Sequence, residues 1–190
     1  MPNSRTFLND NFLIAMPTLK TPSFKQAVMY ICEHNETGAM GLIINHPSSM
    51  FVSELFMSMR INAHASLLNA QPILWGGPLE KERGFIIHRP GPQQWQASLQ
   101  LSDDIMVTSS RDILEAMAVN EGPAAPLIVL GYAGWEKGQL EQEIVDNCWL
   151  HIPAEAHIMF EAPFEQRWHA AIAALGLNEN HILAMYTGHA

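Results

Sequence analysis

The amino-acid sequence predicts an α+β fold with a mixed, largely antiparallel sheet and about four helices outside it. Short apolar runs of strand length recur along the chain, and amphipathic segments of helical period stand among them. The two kinds neither alternate strictly nor segregate fully, which argues against a doubly wound arrangement. The turn signal Asn35-Glu36-Thr37-Gly38 also joins two apolar runs by a connection short enough to force antiparallel pairing.

Composition bounds the answer. The 190 residues fit one domain, with room for a small lobe, since domains commonly hold roughly 100 to 200 residues. With 48% hydrophobic and 15% charged residues, the chain is globular over its length. A formal charge of −9 and only ten scattered Lys and Arg argue against a broad phosphate-binding surface, so binding to nucleic acid is not expected. Cys32 and Cys148 are too few for a disulfide framework and fit a reducing cytosol. No signal-peptide order is visible at the N-terminus, and no apolar run approaches the roughly 20 residues that span a bilayer. A cytoplasmic location without membrane contact is expected.

Phe12 to Met16 reads as a strand halted by Pro17, and Ala27 to Glu33 as a longer one that pairs with Met40 to Asn45 across the turn. Val52, Leu55, Phe56 and Met59 stand at helical spacing. Ile73 to Trp75 is a strand broken by Gly76-Gly77-Pro78, and Gly84 to His88 another that ends at Arg89-Pro90. Leu99 to Leu101 and Ile105 to Thr108 are short strands. Ser109, three residues before Asp112, has the capping-box pattern, and Ile113, Leu114, Met117 and Ala118 form the stripe of the helix that follows.

Leu127 to Leu130 leads into Gly131-Tyr132-Ala133-Gly134-Trp135, read as a strand ending in a tight turn. Leu140, Ile144 and Cys148 then recur every four residues, with Glu141, Gln142, Glu143 and Asp146 turned outward. Trp149 to Ile152 and His157 to Phe160 read as strands around Pro153. The last helix opens at Pro163, carries Phe164, Trp168, Ile172 and Leu175 on its apolar stripe, and stops at Gly176. The tail from Leu183 to Ala190 is apolar enough to dock.

Few constellations offer chemistry. Cys32 and His34 share one side of a strand with Glu33 on the other, but no third ligand stands at metal spacing; the pair reads as a small buried hydrophobe and a histidine bonded to backbone. No serine sits in a nucleophile elbow, and neither glycine pair continues as a phosphate loop. Glu141 and Glu143 diverge on a helix, so with Asp146 they read as a solvated face. The remaining histidines, among them His88, His157 and His189, are dispersed. Thr108-Ser109-Ser110-Arg111 is the candidate anion site: hydroxyls, free N–H groups and a guanidinium gather where a helix dipole favours negative charge. No catalytic residue, metal site or cofactor is expected.

Several motifs together resemble the YqgE/AlgH family of bacterial proteins: Leu13-Ile14-Ala15-Met16-Pro17, Ile31-Cys32-Glu33-His34-Asn35, Gly38 to Asn45, Gly76-Gly77-Pro78, Arg83-Gly84-Phe85, Thr108 to Asp112, Leu130 to Trp135, Gln139-Leu140-Glu141, Asn147 to Leu150 and Gly188-His189-Ala190. They cover nearly the whole chain in order. Thr21 and His46 depart from the family's usual residues. The resemblance implies a single compact α+β unit with a barrel-like sheet, in the bacterial cytosol, and it brings no established catalytic residues.

The leading expectation is therefore a non-enzymatic cytosolic protein acting in regulation through a protein partner or a small anionic ligand. The alternative is a hydrolase or transferase using Ser109, Arg111, Glu33 and His34. A transcriptional regulator that binds DNA ranks third, because the charge opposes it.

Overall fold

The computed structural model of the chain describes residues 7–187, which divide into two compact units. The first combines the chain up to Asn45 with the chain from Ala133 onward, and the second is His46–Tyr132. The closing Gly188-His189-Ala190 motif lies outside the described residues.

In the first unit, strand β1 (Asn11–Ala15) lies between β10 (Trp149–Pro153) and β2 (Val28–Asn35). β2 also pairs with β3 (Gly38–Ile43), and β3 with the last residues of β9 (Leu127–Glu136), every pair antiparallel. Phe12, Leu13 and Ile14 of β1 and Val28 to Ile31 of β2 are fully buried. That explains why these strands read as unbroken apolar runs rather than alternating ones. The hairpin forms as expected, its turn fixed by the Thr37 N–H donating to Asn35 Oδ1 at 2.8 Å.

Helices α3 (Gln139–Val145), α4 (Ala156–Phe160), α5 (Arg167–Ala174) and α6 (Glu179–Thr187) complete the unit. Trp168 and Ile172 of α5 are buried, and the Trp168 indole N–H donates to the Ala15 carbonyl at 3.0 Å, which ties the helix to β1. Gly176 ends the helix with φ +72°, the left-handed conformation anticipated for it. Arg167 is also buried, its guanidinium donating to the carbonyls of Ala162 and Ile44 and lying 4.6 Å from the Phe164 ring centre. Burial without a carboxylate partner pushes its pKa down to about 10.

The second unit orders its strands as β4 (Pro47–Phe51), β5 (Pro72–Trp75), the first part of β9, β6 (Leu79–His88), β8 (Met106–Thr108) and β7 (Ser98–Gln100). Only β5 and β9 run parallel. Helices α1 (Val52–Ser58) and α2 (Arg111–Ala118) bury Val52, Phe56, Ile113, Leu114, Met117 and Ala118 in one cluster with Ile73, Ile86 and Ile128 of the sheet. All four residues of the predicted α2 stripe are in this core, where each larger side chain contributes roughly 1.5–3 kcal/mol.

The α+β class and the curled, largely antiparallel sheet agree with the expectation. Six α-helices occur among the described residues where about four were expected. Residues His157 to Phe160 form α4 instead of a strand, because a short apolar run carries no decisive period and the adjacent Ile158 and Met159 are both buried. β9 runs straight through Gly131 and Gly134, so the aromatic pair is on a strand and the turn comes at Lys137-Gly138. Gly131, at φ +77°, is needed for contact: a Cβ there would stand 2.6 Å from the Gly77 carbonyl oxygen.

Candidate functional site

Strand β6 places successive side chains on opposite faces. Arg83 and Phe85 point one way, with the guanidinium carbon 5.2 Å from the Phe85 ring centre and 5.7 Å from that of Tyr132. Glu82, Gly84 and Ile86 line a cleft of about 200 Å³ on the other face. Its floor is apolar, made by Leu55, Met59, Ile86, Leu114, Ile128 and Leu130, and its mouth carries Glu82, Ser109, Ser110 and Arg111.

Gly84 lines this cleft with no side chain of its own. It has no left-handed φ, and a Cβ built on it would meet only Leu130 Cδ2, at an ordinary 3.6 Å. Neither backbone conformation nor close packing calls for glycine, which in a strand costs roughly 0.5–1 kcal/mol relative to alanine. What a side chain there would do is occupy the space above the floor.

The structure separates the four residues of the candidate anion site. Ser109, Ser110 and Arg111 reach the cleft, whereas Thr108 is buried behind it. Thr108 Oγ1 lies 2.8 Å from His88 Nε2 and 2.6 Å from Ser98 Oγ. His88 Nδ1 stands 2.8 Å from the Arg89 carbonyl, which can only accept, so the proton is on Nδ1 and Nε2 accepts from Thr108. Thr108 must then accept from Ser98, and its hydroxyl is fully committed. His88 is accordingly an interior residue, with its pKa lowered by burial against a smaller raising effect of the Arg89 carbonyl.

The N-cap of α2 is Ser110 rather than Ser109. No serine closes the anticipated capping box; instead the Ser110 hydroxyl donates to Asp112 Oδ1 at 2.5 Å and accepts the Ala97 N–H. Asp112 also accepts from the N–H groups of Gln96 and Ile113. Desolvation opposes its charge, but these hydrogen bonds outweigh it and hold the carboxyl below its ordinary pKa. The chain's own carboxylate thus answers the positive end of the helix. Arg111 donates Nε to Glu115 at 2.7 Å and Nη1 to the Met59 carbonyl at 3.0 Å.

Cys32, Glu33 and His34 sit as the strand period predicts, with Cys32 and His34 buried and Glu33 exposed. Burial first, and the charge of Glu33 second, push the Cys32 thiol up to about 12, which keeps it protonated and a poor nucleophile. His34 Nδ1 accepts the Leu8 N–H at 3.0 Å; its Nε2 is 3.4 Å from Glu141 Oε1 without hydrogen-bond geometry. Neither Glu33 nor His34 lines the cleft that holds Ser109 and Arg111. Glu143, read as part of a solvated face, instead accepts from Trp135 and Trp149 and is half-buried. Sequence reasoning also missed Glu82 and Gly84 as cleft residues; the only signal was a strand glycine inside Arg83-Gly84-Phe85.

The AlgH-like domain family, DUF179, matches residues 12–180. The chain belongs to the AlgH-like family. Its AlgH-like relatives include a UPF0301 protein of Thioalkalivibrio sulfidiphilus, 48% identical over 190 residues and covering all of both chains. The solution structure of the AlgH protein from Pseudomonas aeruginosa matches with a TM-score of 0.78 and 43% identity, covering 100% of this chain and 98% of that one. The crystal structure of protein DIP2367 from Corynebacterium diphtheriae shares the fold, with a TM-score of 0.70 at 20% identity over 93% of this chain and 90% of that one. Among the described residues of this AlgH-like chain, no helix is long and apolar enough to cross a membrane.

Proposed function

We propose that this AlgH-like protein is a cytosolic, non-enzymatic regulator that acts by holding a small ligand with an anionic head in the cleft beside β6. The observation that carries the reading is Gly84, a strand glycine whose absent side chain leaves room above an apolar floor. Ser109 and Arg111 supply a hydroxyl and a guanidinium at the mouth, and Ser110 helps to frame it. The buried, protonated Cys32 supports a binding role over nucleophilic catalysis.

Titration of the full chain with 4-methylpentanoate, a small carboxylate with an aliphatic tail, tests this through backbone amide resonances. Those of Gly84 and of residues 109–111 are expected to move. Gly84→Leu should abolish the response, and Arg111→Ala should weaken binding about fivefold, the scale of a solvent-exposed ion pair. Unmoved resonances at these positions, or equal affinity in all three proteins, would show the reading to be wrong.

A further inference from the structure

The mouth of the cleft carries opposite charges, and this sets the class of occupant. Among the described residues the Glu82 carboxylate has no hydrogen-bond or ion-pair partner, although it lines the cleft. Arg111 commits Nε and Nη1 and retains Nη2, and the Ser109 hydroxyl is likewise uncommitted. One open anionic group thus faces the same small space as a guanidinium that keeps Nη2 free and an uncommitted hydroxyl.

Simpler ligands fit less well. A fatty carboxylate would engage Arg111 and Ser109 but bring its head near Glu82 with no ammonium to answer that second carboxylate. Inorganic phosphate would find the first turn of α2 already answered by Asp112. A nucleobase would find no aromatic face, since none of the lining residues is aromatic. The volume of about 200 Å³ lies below the roughly 300 Å³ at which drug-sized pockets begin, which suits a metabolite of only a few carbons.

Resting on the reading of the cleft as a small-ligand site, we propose that it binds an aliphatic α-amino acid as its zwitterion. The carboxylate is held by Arg111 and Ser109, the ammonium by Glu82, and the side chain lies on Leu55, Leu114 and Leu130 above Gly84. Two charges of opposite sign on one carbon are what this mouth complements, and the branched aliphatic floor selects the side chain.

The test uses the full chain at low salt and three probes: L-leucine, 4-methylpentanoate, which lacks the ammonium, and 3-methylbutylamine, which lacks the carboxylate. L-leucine is expected to bind about fivefold more tightly than either analogue, the scale of one exposed ion pair. Glu82→Gln should erase its advantage over 4-methylpentanoate while leaving the melting temperature unchanged, because Glu82 has no partner to lose. If 4-methylpentanoate binds as tightly as L-leucine, the zwitterion is excluded and the anion reading stands. Equal affinity for the amine and L-leucine overturns the carboxylate's assignment to Arg111. If no probe moves the resonances of Gly84 and residues 109–111, the zwitterion and the anion reading fall together.

Discussion

Trp135 and Trp149 donate their indole N–H groups to the same oxygen of Glu143, each at 2.8 Å, with ring centres 6.1 Å apart and planes at 77°. The other Glu143 oxygen accepts from Gln139. One carboxylate on α3 thereby satisfies the polar atoms of two large side chains from β9 and β10 that are both buried.

Removing that acceptor should be costly. Glu143→Ala leaves two indole donors unpaired, and at about 1–3 kcal/mol for each unsatisfied group the expected loss is about 2–6 kcal/mol. Glu143→Gln keeps one carbonyl oxygen and should lose about 1 kcal/mol. Urea denaturation of both variants checks the order; equal losses would contradict the shared-acceptor account.

Two glycine-to-alanine changes should have opposite consequences. At Gly76 a Cβ would collide with the Gly131 carbonyl oxygen and a methyl group of Val129, so Gly76→Ala is expected to destabilise by about 1–3 kcal/mol or more. Gly84→Ala meets only an ordinary contact and should match or exceed the parent's stability by roughly 0.5–1 kcal/mol. Thermal melts distinguish them directly.

The His88 relay predicts a pH signature. Burial lowers the folded pKa of His88 below its ordinary value of about 6.5, so the unfolded chain takes up this proton first. The associated stability is present above about 6.5 and is lost as pH falls from there through the folded value. The stability difference between the parent and His88→Gln should therefore shrink between pH 7.5 and pH 5. Thr108→Val, which removes the donor to Nε2, should cost about 1–3 kcal/mol at neutral pH.

Trp168 anchors α5 and is 4% exposed. Trp168→Ala is expected to cost about 3–5 kcal/mol, and Trp168→Phe less, though with the loss of its bond to Ala15. Guanidinium unfolding measures both.

Much of the fold is legible in the residues themselves. Phe12 to Ala15 and Val28 to Cys32 announce central strands by unbroken apolarity, and the Ile113, Leu114, Met117, Ala118 spacing announces the buried face of α2. Lone tryptophans also signal that their N–H groups need partners, but nothing local says that Trp135 and Trp149 share Glu143, since that depends on how α3 lies against two strands. β4 escapes because Pro47, Ser48 and Ser49 carry no apolar strand pattern and four of its five residues are exposed. The cleft escapes for a similar reason. Gly84 is one glycine among twelve, and its meaning arises only when Leu55 and Leu114 arrive beside it from distant helices. Met57 is 77% exposed because it falls on the outer side of α1, away from the stripe of Val52, Leu55, Phe56 and Met59.

The assembly of the first unit from both ends of the chain has a consequence for biosynthesis. β1 leaves the ribosome early, yet its outer neighbour β10 emerges some 130 residues later, with all of His46–Tyr132 translated in between. During that interval the nascent β1 has one flank bare, and such distant pairing is slow to close. A synthesis-coupled chaperone that shields Phe12, Leu13 and Ile14 would therefore have its greatest effect on yield before translation reaches Trp149, and little effect on protein already released.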